Sequence, residues 1–183
     1  MFAARGYHDS SMAEIAERAE VSKPLLYAYF ESKEGLYSAF IDRIGEELRE
    51  RMGAARSSSA GAEEILESAI NAFFGFVERR RHGWLVLYSE VARGGPLAQQ
   101  VASIRNQIVN EVRRSLEASL DEPRVGFRSP AIDALAHAVV GAGESLAIWW
   151  LWHPELEREQ VADWLFGFSR AGLVQAVDAF GGH

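Results

Sequence analysis

The chain has 183 residues, enough for one large domain or two small ones. Apolar residues make up 48% and charged residues 25%, which excludes an intrinsically disordered or collagen-like protein. The absence of cysteine excludes disulfide frameworks and thiolate metal sites, and it fits a reducing cytoplasm, where we expect the protein to be. The net charge of −7 argues against coating of nucleic acid through bulk positive charge.

No membrane span or secretion signal is expected from the sequence. Glu144 interrupts the apolar stretch at residues 135–151, and a bilayer requires about 18–20 apolar residues in succession. The amino terminus lacks a basic segment followed by an apolar one.

The first forty residues predict two short helices joined by a tight turn at Glu20-Val21-Ser22. Ser11 followed by Glu14 is a capping box, and Ser22 is a second helix cap with Pro24 in the first turn after it. Ser32 is expected to cap the helix that follows, which places Lys33 at its start.

Helical spacing places Leu26, Tyr29 and Phe30 on the inner side of the second short helix. The remaining side chains then lie outward or at the rim, and these are Lys23, Pro24, Leu25, Tyr27 and Ala28. A short helix of this kind after a tight turn has the shape that enters the major groove of DNA.

The rest of the chain predicts five long helices, and no stretch alternates as a half-buried strand does. Breaks are expected at residues 57–61, 94–96, 123–130 and 153–154. The five apolar faces contain Leu36, Phe40, Ile41, Ile44 and Leu48; Ile65, Ala69, Phe73, Phe76 and Val77; Val101, Ile104, Ile108, Val112, Leu116 and Leu120; Ile132, Leu135, Val139, Leu146 and Trp150; and Val161, Trp164, Leu165, Phe168, Leu173 and Val177. The fold class is therefore predicted to be all-α.

The first forty residues resemble the helix-turn-helix signature of TetR-like transcriptional regulators. The resemblance is carried by Gly6-Tyr7, Ser11, Ile15-Ala16, Val21-Ser22-Lys23-Pro24, Leu26-Tyr27-Ala28-Tyr29-Phe30 and Ser32-Lys33-Glu34-Gly35-Leu36, and more weakly by the run from Trp152 to Leu156. It implies a DNA-binding domain at residues 1–45 and a helical effector-binding and dimerisation domain at residues 46–183.

The resemblance also implies roles for single residues on an operator of double-stranded DNA. Phosphate contacts fall to Ser11, Ser22, Tyr27, Tyr29 and Lys33, and base-edge contacts to Lys23, Pro24, Leu25 and Ala28. Their chemistry agrees, because lysine reaches guanine acceptors and apolar groups contact thymine methyls. Tyr29 is alternatively a core residue, and Leu25 alternatively packs against the first short helix.

Three features depart from the family pattern. Glu20 stands where the family usually has glycine, so either the backbone is strained there or the helix ends differently. Met1 to Gly6 resembles the end of the family's first helix, so we expect most of that helix to be missing from this sequence. Through Phe40 there are also two more acidic than basic side chains.

The larger domain is expected to bind a small hydrophobic or aromatic effector. The candidate pocket residues are Phe73, Phe76, Trp84, Tyr88, Ile108, Glu144 and Trp149, with Glu144 either a polar group in the pocket or a buried dimer contact. Asp133 and His137 are four residues apart, a spacing that allows a metal site, but a solvent-facing pair is the preferred interpretation. No metal or cofactor is expected.

The resemblance implies a homodimer through the last two long helices, at residues 131–152 and 157–180. Effector binding would shift the population toward a conformer in which the helix at residues 36–51 moves the DNA-reading helix out of register. The predicted function is a repressor that its effector releases.

Two other classes of protein were considered. An enzyme is not expected, because the chain lacks a His-Glu-x-x-His motif, a Glu-x-x-His pair, a glycine-rich phosphate loop and a Gly-x-Ser-x-Gly elbow. The alternative function is a helical small-molecule-binding or interaction protein of the same fold that no longer binds DNA. Glu20 and the acidic first forty residues favour that alternative.

Overall fold

The computed structural model describes residues 2, 7, 9–54, 61–92, 94, 97–118 and 130–180. These ranges contain helices and no strand, so the predicted all-α class is confirmed. In chain order the helices are α1 (Met12–Arg18), α2 (Lys23–Phe30), α3 (Lys33–Ala54), α4 (Ala62–Arg79), α5 (Arg81–Ala92), α6 (Ala98–Ala118), α7 (Pro130–Trp150) and α8 (Arg158–Phe180).

The second predicted long helix is in fact two helices, α4 and α5, with a turn at Arg80. No glycine or proline stands at this break, so the sequence carries no local signal for it. The break instead follows from packing on α3. Arg80 donates a hydrogen bond to Glu47 at 2.8 Å, and Gly83 lies so close to Ile44 that an added Cβ would be 2.8 Å from its Cδ1.

The chain forms two compact units, and neither is continuous in sequence. Unit 1 comprises Met1–Glu47 and Arg80–Ile104, and unit 2 comprises Leu48–Arg79 and Arg105–His183. Helices α3 and α6 each contribute residues to both units. The predicted boundary after residue 45 divides the chain by function, and it remains a prediction. In the structure, residues 80–104 belong to the same compact unit as the amino-terminal residues.

Unit 1 is built around an apolar cluster that joins α1 to α2. Met12 and Ala16 of α1 are buried against Leu26 of α2, with Ile15, Phe30 and Leu36 packed around them. Burial of this cluster stabilises two helices of seven and eight residues, each too short to persist alone in water.

Unit 2 is built from α4, α7 and α8, which pack against one another, and from the part of α6 that packs on α7. Phe74 of α4 meets Trp150 of α7 edge to face, with ring centroids 5.8 Å apart. The Trp150 indole donates to the Leu156 carbonyl at 2.9 Å, which closes the turn between α7 and α8.

Helix α7 is long and apolar enough to span a membrane by length and composition, with a mean hydropathy of 1.3 over 18 residues. The expectation that Glu144 prevents this was wrong, because one or two charged side chains lower the average too little. The helix packs on α8 in unit 2, where Ala136, Val139, Gly143, Ala147 and Trp150 are buried.

The turn between α1 and α2 places Glu20 in the left-handed region, with φ of 56°. The Glu20 amide donates to Glu17 O at 3.1 Å, and the Val21 amide donates to Ala16 O at 3.0 Å. These two bonds form a Schellman motif, which usually has glycine at the position of Glu20. Of the two possibilities that the sequence left open, the strained backbone is the one observed.

We therefore expect Glu20→Gly to stabilise the protein by about 0.5–1 kcal/mol, because relief of the strained φ outweighs the additional backbone entropy that glycine loses on folding. Urea unfolding measures the change. Glu20→Gln is the control, since it removes the charge and keeps the Cβ. If the Gly variant unfolds at a lower urea concentration than the Gln variant, the turn is not strained.

Candidate functional site

The start of α1 is fixed by the predicted capping box. The Ser11 hydroxyl accepts a hydrogen bond from the Glu14 amide at 3.2 Å, and Glu14 Oε2 accepts from the Ser11 amide at 3.3 Å. The box is confirmed. The hydroxyl proton of Ser11 also points to Glu14 Oε2 at 3.0 Å, so the side chain is held at the surface beside the first turn.

Helix α2 begins and ends through local contacts. The Ser22 hydroxyl accepts from the Leu25 amide at 3.3 Å, and Pro24 lies in the first turn, as predicted. Beyond Phe30, Glu31 has φ of 60° and ends the helix. Ser32 then accepts from the Gly35 amide at 2.9 Å and caps α3, which places Lys33 at the first position of that helix.

Almost all of α2 faces outward. Leu26 is buried and Phe30 half-buried, while the six other side chains of the helix are exposed: Lys23, Pro24, Leu25, Tyr27, Ala28 and Tyr29. The prediction that Tyr29 lies inward was wrong, because this side chain is 76% exposed. Leu26 and Phe30 are enough to fill the narrow contact with α1, which leaves Tyr29 on the open side.

Two lysines of this region lie over aromatic rings. The Lys23 ammonium is 5.9 Å from the centroid of the Tyr27 ring, one turn further along α2. The Lys33 ammonium is 4.5 Å from the centroid of the Tyr7 ring. Such contacts restrict where a flexible ammonium group points, so each lysine is presented in a limited set of positions.

The candidate effector residues belong to different units. In unit 2, Phe76 and Ile108 are buried, and Phe73 is half-buried with its ring centroid 5.2 Å from that of Phe74. In unit 1, Trp84 is buried and Tyr88 is exposed. That these side chains line one cavity remains a prediction.

Glu144 has a partner that the sequence analysis did not name. Both of its carboxylate oxygens accept from Arg105 Nε, at 2.9 and 3.0 Å, and both side chains are about three-quarters buried. In the sequence, Arg105 comes directly after Ile104, which belongs with Val101 to the apolar face of α6. A charged residue beside that apolar face was the sequence signal for a buried ion pair. A half-buried charge of this kind requires an opposite charge nearby.

Trp149 lies at the end of α7 and is exposed. Its ring stacks on that of His153 with centroids 4.0 Å apart, and the Trp164 ring of α8 is 6.4 Å away. Asp133 and His137 are also exposed. Among the described residues, no group of three histidine, aspartate or glutamate side chains is arranged to hold a metal ion.

Two family models match the chain. Residues 1–40 match the model described as bacterial regulatory proteins, tetR family. Residues 62–172 match the model described as tetracyclin repressor-like, C-terminal domain. The two matches together account for the helix-turn-helix region and for most of the helical remainder.

Among curated proteins, the transcriptional activator FasR of Mycolicibacterium smegmatis is 39% identical over 88 residues, which are 48% of this chain and 40% of FasR. The chain thus matches less than half of the length of that relative.

Solved structures agree with these matches. A TetR-like transcriptional regulator from Rhodococcus sp. RHA1 is 33% identical with a TM-score of 0.79, covering 94% of this chain and 89% of that one. AibR, solved with isovaleryl coenzyme A and operator DNA, shares the fold at 20% identity and a TM-score of 0.71, covering 91% and 90%. The chain belongs to the TetR family of transcriptional regulators.

Proposed function

We propose that the protein is a repressor that binds operator DNA through α2 and is released by a small hydrophobic or aromatic effector. The observation that carries this proposal is the exposure of α2. One buried leucine fixes the helix against α1, and the exposed side chains around the rest of its surface are available to DNA. A short helix held in this way matches the shape of the major groove.

The exposed side chains divide by chemistry. Lys23 donates to guanine O6 and N7, while Pro24, Leu25 and Ala28 present apolar surface to thymine methyl groups. Phosphate oxygens accept from the hydroxyls of Ser22, Tyr27 and Tyr29 and from the ammonium of Lys33, and the Ser11 hydroxyl joins them once its proton turns away from Glu14 Oε2.

Charge limits how this surface binds. Glu17, Glu20, Glu31 and Glu34 are all exposed in α1, α3 and the turns that flank α2. Their repulsion of phosphates opposes non-specific binding, so affinity depends on the hydrogen bonds and apolar contacts at a matching sequence.

We propose an apolar effector because the candidate pocket residues of unit 2 other than Glu144 are apolar. Phe73 is the half-buried ring among them, Phe76 and Ile108 are buried beneath the surface, and Glu144 forms an ion pair with Arg105. A ligand of matching chemistry has an apolar body and one polar group that hydrogen-bonds to this pair. AibR, which shares the fold, was solved with isovaleryl coenzyme A.

A homodimer through α7 and α8 is supported by apolar side chains that unit 2 leaves uncovered. Trp164 and Phe168 of α8 lie one turn apart and are 51% and 65% exposed, and Gly167 has open space where a Cβ would stand. A second copy is the proposed occupant, because two α2 helices must reach half-sites about one DNA turn apart. Exposure of such rings to the cytoplasm would otherwise favour aggregation.

Release follows if the effector binds one conformer better than the other. Helix α3 is a single helix that starts directly after α2 and continues into unit 2. A change in the direction of α3 would move both copies of α2 out of register with their half-sites.

Activation is the second candidate, because the relative FasR is named an activator. The same DNA contacts serve either role. A reporter gene behind the bound operator distinguishes them: deletion of the protein raises expression for a repressor and lowers it for an activator.

DNA binding is tested by fluorescence anisotropy with labelled duplex from upstream of the gene, at two salt concentrations, and with a duplex selected from random sequences. Lys23→Ala is expected to weaken specific binding by about ten- to a hundredfold and to relax preference at one base pair. Arg114→Ala, which removes one exposed cation from α6 in unit 2, is the control and should bind as wild type does. If the wild-type protein selects no sequence, the alternative of a helical protein that no longer binds DNA replaces this proposal.

The dimer is tested by Phe168→Asp, which places a charge on the exposed ring face of α8. We expect the variant to sediment as a monomer at concentrations where the wild type is a dimer, because a buried unpaired carboxylate opposes association. Glu159→Ala, an exposed carboxylate on the side of the same helix opposite Phe168, is the matched control. If the Phe168→Asp variant remains dimeric, Phe168 is not part of the dimer interface.

The effector class is tested by adding naphthalene, indole, 1-decanol or methyl decanoate to the protein–DNA complex. At least one compound is expected to release the labelled DNA and so lower its anisotropy. Phe73→Leu should raise the compound concentration needed for half release by about tenfold, because the aromatic contact with the compound is lost. DNA affinity without the compound should not change. Equal release of both proteins by every active compound would exclude Phe73 from the site.

A further inference from the structure

Helix α6 is attached to α3 inside unit 1 by one polar side chain, Gln100. Its amide nitrogen donates to the Ser38 carbonyl at 3.3 Å and to Asp42 Oδ1 at 2.5 Å, and its amide oxygen accepts from the Ser38 hydroxyl at 3.0 Å. Ser38 and Asp42 are one turn apart on α3. One side chain therefore bridges two successive turns of α3.

Apolar contacts continue this attachment along both helices. Gly45 of α3 faces Ile104 of α6, one turn beyond Gln100, so closely that an added Cβ would be 2.6 Å from its Cδ1. Such a contact fixes the distance between the helices and resists sliding. The directional hydrogen bonds of Gln100 add a polar constraint on the same register.

The register of α3 matters for α2, because only Glu31 and Ser32 separate the two helices. Leu36 of α3 also packs on the cluster that holds α1 to α2. A rotation of the first half of α3 therefore carries the exposed face of α2 with it.

We propose that Gln100 is a positioning residue for DNA binding, which holds α3 and hence α2 in the orientation that fits the operator. Gln100 is not among the residues proposed to contact DNA or the effector. It lies in the unit 1 part of α6, the helix whose unit 2 part provides Ile108 and Arg105. This inference rests on the proposed function as a DNA-binding regulator.

The test compares Gln100→Ala with Gln99→Ala, in which the neighbouring exposed glutamine of the same helix is removed. We expect Gln100→Ala to bind the selected operator duplex about tenfold more weakly, since fewer molecules hold α2 in the competent orientation. In DNA-free protein, hydrogen exchange of the amides in α2 and the first half of α3 should be about tenfold faster. Gln99→Ala should match wild type in both measurements.

A donor–acceptor exchange separates positioning from general loss of stability. Gln100→Glu places a carboxylate against Asp42 and should weaken DNA binding as Gln100→Ala does. Adding Asp42→Asn supplies an amide donor to the new carboxylate and should recover part of the affinity that Gln100→Glu loses, because the Ser38 carbonyl still lacks the donor that Gln100 provides.

The inference is overturned if the wild type binds its operator and Gln100→Ala binds it equally well. It is also overturned if adding Asp42→Asn recovers none of the affinity lost by Gln100→Glu while the double variant is as stable as wild type in urea. A wild-type protein that binds no DNA overturns the proposed function itself, and in that case hydrogen exchange alone would still show whether Gln100 holds α3.

Discussion

The contact of Leu26 with Met12 and Ala16 is the interaction on which the exposed surface of α2 depends. Helices α1 and α2 have seven and eight residues, and helices of that length are unstable in isolation. Their mutual burial stabilises both. Because so little of α2 is needed for this contact, almost its whole surface remains exposed, including rings as large as Tyr27 and Tyr29.

At both ends of α2 the backbone adopts an unusual conformation. Glu20 and Glu31 both have positive φ, and neither is glycine. The cost of such a conformation is about 1–3 kcal/mol and must be offset by surrounding structure. Hydrogen bonds from Val21 to Ala16 and from Ser32 to Phe30 close the two turns. The direction of α2 is therefore fixed at both ends by short connections.

Helix α3 is held to the later chain by contacts of two kinds. Glycines at positions 45 and 83 allow side chains of isoleucine to approach closely, while Gln100 and Arg80 supply hydrogen bonds to α3. Close apolar packing sets separation, and directional polar bonds set register. Unit 1 thus includes residues far along the chain, although the match to the model described as bacterial regulatory proteins, tetR family, ends at residue 40.

The sequence by itself determined the local features. The all-α class, the caps at Ser11, Ser22 and Ser32 and the helix-turn-helix all follow from residues within a few positions of one another, because capping and helical periodicity are local interactions. It could not decide the side on which Tyr29 lies, the break at Arg80 or the partners of Glu144 and Gln100. Each of these depends on which surfaces meet. The side of Tyr29 depends on the width of the contact with α1, and the break at Arg80 depends on packing against α3. The partners of Glu144 and Gln100 are residues 39 to 62 positions away in the sequence. Only the tertiary structure brings such residues within hydrogen-bond distance, because nothing in the local sequence specifies a partner so far along the chain.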